Sequence, residues 1–224
     1  LPIFRARNQR GPTLTSRALA MVHIAMHDAY FGFVPKGAPL NPEGFNPVLT
    51  SNQLNVAGVP TRNEIVMSVS QAAYTVLSEL FPSQRDVFDR LLDGVLAGAR
   101  NTGHNPLAVG RLVANNVLSV RANDGAYRTE EPTFSDKKGH HRPDPFTDQR
   151  GTLGNTYGET RHFVLDGHLR CAPPPGYAQG IPFNENDPTY LDHYKEVKDK
   201  GAKRDSSRTV DELITGIFWA YDGI

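Results

Sequence analysis

The 224-residue chain has the length and composition of one globular domain. It contains 24 basic and 24 acidic side chains, and 38% of its residues are hydrophobic. The formal net charge of zero gives no electrostatic reason to expect a nucleic-acid partner. No apolar run approaches the roughly 20 residues that span a bilayer, so no membrane anchor is expected. The single cysteine, Cys171, excludes an internal disulfide, and the composition suits either a secreted or a cytoplasmic protein.

Apolar residues at helical spacing predict two helices near the start of the chain. The first covers residues 13 to 31, with Thr13 or Thr15 as its N-cap. The second begins at a capping box formed by Thr61 and Glu64, in which each residue caps the other's backbone N–H. The apolar positions of the first helix are Leu14, Ala18, Leu19, Val22, Ala25, Met26 and Ala29.

Two further helices are predicted before residue 126. Pro82 ends the second helix, and Ser83 caps the third. Asn105 and Pro106 form the N-cap and N1 pair of the fourth helix, which ends before the Asp-Gly pair that begins at Asp124.

Helical periodicity disappears between about residue 126 and residue 188. Repeated prolines exclude long helices and central strands there, and loops of this length are often functional or disordered. The aromatic residues and short apolar stretches of the segment favour an ordered loop that covers another surface. The whole pattern predicts an all-α fold, a helical bundle with long irregular proline-rich loops. We expect residues 1–224 to form one helical scaffold domain. The prolines are Pro132, Pro143, Pro145, Pro173, Pro174, Pro175, Pro182 and Pro188.

The last predicted helix opens with a second capping box, formed by Thr209 and Glu212. It is apolar nearly all round, and such a helix is normally buried. We therefore expect a companion polypeptide to cover it and the chain to be part of something larger. The apolar residues are Val210, Leu213, Ile214, Ile217, Phe218, Trp219 and Tyr221.

The first helix carries two patterns that are typical of binding sites. Ser16, Arg17 and His23 match one of the oxyanion-binding signatures of the acid phosphatase superfamily, in which arginine grips the anion and histidine bonds it. His23 and His27 have the spacing of two metal ligands on one helical face. A third ligand is not evident, however, and Asp28 stands one residue beyond the position that the oxyanion signature requires. We therefore expect structural histidines, hydrogen-bonded in a helical core.

Two clusters in the irregular segment are further candidates for an anion site or a metal site. Arg142-Pro143 would belong to an anion site if a lysine stood at position 135, but that residue is Ser135. His140, His141 and Arg142 are therefore interpreted as a solvated or interdomain loop. The other cluster reads more readily as a turn than as a metal site, and we predict no metal ligands in the chain. Its residues are His162, Asp166 and His168.

Four short sequence motifs, here called words, resemble the amino-terminal half of vanadium-dependent haloperoxidases and follow one another in the expected order along the chain. The resemblance is closest to the fungal and actinobacterial chloroperoxidases, which belong to the acid phosphatase superfamily. The words are GPTLTSRALAMVHIAMHDAYFGF at 11–33, NDGAY at 123–127, YGETRHFVL at 157–165 and FWAYDG at 218–223.

This resemblance implies an almost entirely helical enzyme that binds vanadate and uses hydrogen peroxide to oxidise chloride or bromide. The hypohalous product would halogenate a small organic substrate. It further implies that the vanadate contacts lie beyond the last word, in a carboxyl-terminal half supplied as a second chain or a further segment. The words expected there, Lys with six residues before Arg-Pro and Pro-Ser-Gly-His, do not occur in this sequence. We thus expect no catalytic residue in the chain and no activity from it alone.

The resemblance also assigns one residue to the neighbourhood of the vanadate pocket. Asp222 matches the acidic residue of the last word, which pairs with an arginine that grips the oxyanion. A turn at a helix end is the alternative interpretation of this Asp-Gly pair. Two other functions stay open: a non-catalytic helical scaffold, and a superfamily enzyme with phosphatase or halide-independent rearrangement activity. A homo-oligomer is compatible with each.

Overall fold

The computed structural model divides by contacts into two compact units. The first comprises residues 1–132 and 151–169, and the second comprises residues 133–150 and 170–224. The expectation of one domain over the whole chain stays a prediction. The residues that the structure describes are 9, 11–50, 54, 58–98, 104–137, 142–143, 154–165, 186–204 and 206–220.

Helices are the regular elements of both units, and the described residues contain no strand. This confirms the predicted all-α fold class. Short 3₁₀ turns occupy Pro82–Gln84 and Tyr157–Glu159. The first unit contains α1 (Pro12–Phe33), α2 (Arg62–Leu80), α3 (Arg85–Leu96) and α4 (Pro106–Arg121), and the second contains α5 (Pro188–Gly201) and α6 (Val210–Trp219).

The core of the first unit lies between α1, α2 and α4, which all contact one another, and α3 packs beside α2. Its side chains are small or medium-sized, so the helices approach closely. The closest approach is at Gly110 of α4, where a Cβ would collide with the carbonyl oxygen of Ser68 and lie 3.0 Å from the amide nitrogen of Ala72. The core residues are Ala18, Met21, Val22, Ala25, Ala29, Ala72, Val76, Leu80, Val113, Ala114, Val117 and Leu118.

The predicted capping boxes are both present. Thr61 and Glu64 cap α2 reciprocally, and Thr209 and Glu212 do the same for α6. Each box satisfies backbone N–H groups that have no partner within the helix, which fixes where the helix begins.

The other predicted helix starts were less accurate. The N-cap of α1 is Gly11 rather than Thr13 or Thr15, because Pro12 already occupies the first turn. Ser83 lies inside the 3₁₀ turn and does not cap α3, whose N-cap residue is Gln84. Asn105 precedes Pro106 as predicted, but its backbone is left-handed and its side chain makes no capping bond.

The second unit contains a helix that the sequence patterns did not predict. α5 begins at Pro188, where Asp187 accepts hydrogen bonds from the amides of Thr189 and Tyr190. Lys200 near its end forms an ion pair with Glu212 of α6. No helix in the described part of the chain is long and apolar enough to cross a membrane.

Candidate functional site

A buried charged cluster in the first unit is centred on Asp124, just after α4. The Oδ2 atom of Asp124 lies 2.8 Å from Nε of Arg17 and 2.6 Å from Nη2 of Arg121. Arg17 also donates from Nη2 to the carbonyl oxygen of Arg121 at 2.8 Å. All three side chains are essentially inaccessible to solvent. The carboxylate therefore ties the second turn of α1 to the end of α4 through charge-assisted hydrogen bonds.

Tyr127 and Phe163 complete the surroundings of the two guanidiniums. Arg17 lies over the Tyr127 ring at 5.1 Å, and Arg121 lies over the Phe163 ring at 3.8 Å. Both distances are in the range of cation–π attraction, which strengthens when the cation is desolvated.

This cluster joins three of the four words that carry the family resemblance. Arg17 comes from the first word, Asp124 and Tyr127 from the second, and Phe163 from the third. The words thus correspond to residues that pack together around one buried carboxylate. Sequence analysis missed Arg121 and the role of Asp124; their spacing of three, at the end of an apolar helix, was the available signal.

The Ser16-Arg17-His23 pattern does not form an oxyanion site. Ser16 is exposed and donates to the carbonyl oxygen of Thr13 at 2.9 Å, while His23 is exposed on α1. Arg17 points inward and is bonded to Asp124. Because Arg17 points away from the outer surface that carries Ser16 and His23, the three side chains do not converge on one anion.

Asp28 rather than either histidine is the buried anchor of the later part of α1. Its carboxylate accepts hydrogen bonds from three consecutive backbone amides, those of Val48, Leu49 and Thr50, at 2.6, 2.8 and 2.9 Å. Nδ1 of His27 lies 3.0 Å from the same carboxylate, and the His27 side chain is half-buried. The carboxylate therefore fixes the loop after α1 and orients His27.

The expectation of core histidines is wrong for His23, which is exposed, and holds only in part for His27. His23 lies on the polar outer surface of α1. His27 is half-buried and contacts the buried carboxylate of Asp28. No group of three His, Cys, Asp or Glu side chains in the described ranges could hold a metal ion.

The remaining sequence candidates are mostly outside the described residues. This applies to His140, His141, Asp166, His168, Cys171 and Asp222. Arg142 and His162 are described and exposed. The roles predicted for Asp222 and for the loop histidines therefore stay predictions.

A second buried carboxylate, Glu64, links the start of α2 to the segment before α4. One of its oxygens accepts from the backbone and side chain of Thr61, and the other lies 3.0 Å from Nδ1 of His104. The capping box is thus also a tertiary contact, which the sequence pattern alone does not reveal.

The described part of the first unit is therefore a helical scaffold stabilised by buried carboxylates. Comparison with known proteins shows what its amino-terminal region is similar to. Residues 5–91 match the model described as the vanadium chloroperoxidase N-terminal domain. Vanadium chloroperoxidase from Curvularia inaequalis is 37% identical over 75 residues, which are 32% of this chain and 11% of that protein. The match thus covers about a tenth of the relative's length. The amino-terminal region of the chain is therefore similar to the amino-terminal domain of vanadium chloroperoxidase.

Proposed function

We propose that the chain is the amino-terminal scaffold of a vanadium-dependent haloperoxidase. The observation that carries the proposal is the family match over residues 5–91, which includes α1, α2 and the first half of α3. The complete enzyme would use hydrogen peroxide to oxidise chloride or bromide and so halogenate small organic molecules. The name of the relative, vanadium chloroperoxidase, supports this activity.

The described residues do not fit vanadate. An oxyanion of this kind needs several converging cationic and hydrogen-bonding groups. The guanidinium of Arg17 is already bonded to Asp124 and to a backbone carbonyl, and Ser16 and His23 lie on the outside of α1. We therefore assign no step of the reaction to these residues and propose that vanadate is held by the carboxyl-terminal half of the enzyme.

The apolar surface of α6 is the proposed contact with that half. Within its own unit, α6 leaves six large apolar side chains more than two-fifths exposed. Exposed apolar patches of this kind are typical of interaction surfaces. We expect the contact to bury more than about 1,600 Å². The side chains are those of Val210, Leu213, Ile214, Ile217, Phe218 and Trp219.

Halogenation assays test the proposal directly. The 224-residue chain, verified by intact mass, should not brominate monochlorodimedone with peroxide and vanadate. Adding the polypeptide that carries the Lys-x6-Arg-Pro and Pro-Ser-Gly-His words should restore bromination. Bromination by the chain alone would contradict the assignment of the site, and a stable but inactive complex would favour a non-catalytic scaffold.

A matched pair of variants tests the α6 contact. Ile214→Glu places a charge on the proposed interface, whereas Val197→Glu makes the same change at an exposed apolar position of α5. Association measured by sedimentation should weaken at least about tenfold for the first variant and change little for the second. Equal effects, or a stable monomer that never binds the other half, would exclude α6 as the contact.

Asp222 is the proposed partner of a vanadate-gripping arginine, an assignment based on the family word FWAYDG. A carboxylate on the far side of such an arginine would hold its rotamer and balance its charge. In the complete enzyme, Asp222→Ala should therefore weaken vanadate binding far more than Asp211→Ala, which alters the exposed first turn of α6. Small and equal effects would show that Asp222 only ends a helix.

A further inference from the structure

Residues 154–165, here called the strap, lie against the segment that follows α4. Asn155 and Thr156 donate from their side chains to the carbonyl oxygens of Glu130 and Arg128, at 2.8 and 2.7 Å. The amide of Arg161 donates to the carbonyl oxygen of Asp124 at 2.8 Å. The strap is thus attached by individual hydrogen bonds, and its Phe163 packs against the apolar core of the first unit.

Arg121, at the end of α4, is the main attachment of the second half of the strap. Its Nη2 donates to the carbonyl oxygen of Arg161 at 2.7 Å, and its Nη1 donates to that of His162 at 3.0 Å. The Phe163 ring covers the face of the same guanidinium. Beyond this ring, Val164 and Leu165 are exposed, so the closed strap ends at Phe163.

Closure of the strap leaves the Arg121 guanidinium incompletely compensated. Its Nε atom is buried and has no hydrogen-bond partner among the described residues, and it shares the Asp124 carboxylate with Arg17. Burial lowers the pKa of Arg121, Asp124 raises it, and the nearby charges of Arg17 and Arg161 lower it further. An unsatisfied buried donor, more so on a charged group, costs free energy that hydration would recover.

We propose that the strap opens as a unit, detaching from Arg121 while α1, α2 and α4 stay folded. Opening breaks the hydrogen bonds described above, the Arg128–Glu159 ion pair and the packing of Phe163 against Arg121 and the core. It also hydrates the guanidinium of Arg121. Asp124 and Arg17 remain on the core side, because they join α1 to α4. Opening would expose a cationic group at the end of α4. The proposal rests on these contacts alone and is independent of the haloperoxidase assignment.

Hydrogen exchange of the whole chain tests the proposal without any mutation. The reporters are the amides of Tyr157, Glu159, Thr160 and Arg161, which are hydrogen-bonded within the strap or to Asp124. They should exchange at least about tenfold faster than the amides in the middle of α2 and α4, as expected for a sub-global opening. Exchange of strap and core at one common rate would overturn the proposal.

Two variants at neighbouring positions test whether Phe163 holds the strap closed. Phe163→Ala removes the ring from Arg121 and should speed strap exchange at least about fivefold, with no change in α2. Val164→Ala removes an exposed side chain next to it and should leave both regions unchanged. Equal acceleration by the two variants, or acceleration of α2 by Phe163→Ala, would show that Phe163 does not close an independent strap.

Discussion

Helices α2 and α6 begin with the same device and differ completely in what happens to their apolar side chains. Both start at a Thr-x-x-Glu capping box. In α2 the inward face is buried, with Val76 at 0% and Leu80 at 2% exposure, whereas in α6 Ile217 and Trp219 are 64% and 78% exposed. A capping box therefore determines where a helix starts, while the burial of its apolar side chains depends on whether other elements cover them.

Removing the Asp124 carboxylate, which Arg17 and Arg121 share, should cause the largest loss of stability in the first unit. Asp124→Asn leaves two buried guanidiniums without their counter-ion and should lower the free energy of unfolding by about 3–5 kcal/mol. Urea denaturation measures the change. Glu130→Gln is the control, since it alters an exposed ion pair with Arg128 and should cost less than about 1 kcal/mol. Similar losses from both variants would show that the Asp124 cluster is not a buried ion-pair network.

Close packing between α2 and α4 gives the second test. Gly110→Ala drives a methyl group into the backbone of α2 and should destabilise the protein by about 3 kcal/mol. Gly94→Ala in α3 meets no atom within 4 Å and should stabilise it by about 0.5–1 kcal/mol, because alanine is the better helix former. A neutral Gly110→Ala, measured by thermal or urea unfolding, would mean that the two helices are further apart than described.

The loop held by Asp28 provides a third, smaller effect. Asp28→Asn replaces one acceptor oxygen by an NH₂ group facing backbone donors and should cost about 1.5–3 kcal/mol. His27→Gln perturbs only a half-buried neighbour of the carboxylate and should cost about 0.5–1 kcal/mol. Thermal unfolding compares the two variants. In the complete haloperoxidase that we propose, His27→Gln should leave peroxidase turnover per folded molecule nearly unchanged, and a loss of vanadate affinity at normal stability would restore a site role for His27.

Sequence patterns predicted those features of the fold that depend on local interactions. The capping boxes at Thr61 and Thr209 and the helix after Asn105-Pro106 follow from neighbouring residues. Helix α1 starts earlier than predicted because Gly11 is its N-cap and Pro12 its first residue, ahead of the two threonines. Helix α5 was missed because it is highly polar and short of apolar periodicity.

The buried cluster could not be predicted from local patterns, because its partners are far apart in the sequence. Arg17 and Asp124 are separated by 107 residues, and no spacing rule relates them. The family words marked their neighbourhoods without indicating that they meet. By contrast, the orientation of Arg17 away from Ser16 and His23 follows from helical geometry, and Asp28, one residue beyond the required position, already argued against an oxyanion site.

Acidic pH should weaken the capped start of α6, and this is the smallest of the expected effects. The hydrogen bond from Lys200, followed by that from the Thr209 backbone, lowers the pKa of Glu212 from 4.5 to about 2. Because the folded-state pKa is the lower one, the stabilising effect is complete above about pH 4.5 and is lost as the pH falls toward 2.

Amide NMR shifts of Thr209 and Glu212 should therefore titrate with a midpoint near 2. Lys200→Met removes the largest cause and should raise the midpoint toward 4.5, whereas Asp211→Asn should leave it unchanged. A wild-type midpoint well above 2 would mean that the Lys200–Glu212 pair does not form in solution, because the Thr209 backbone alone lowers the pKa less. The start of α6 would then rest on the capping box alone.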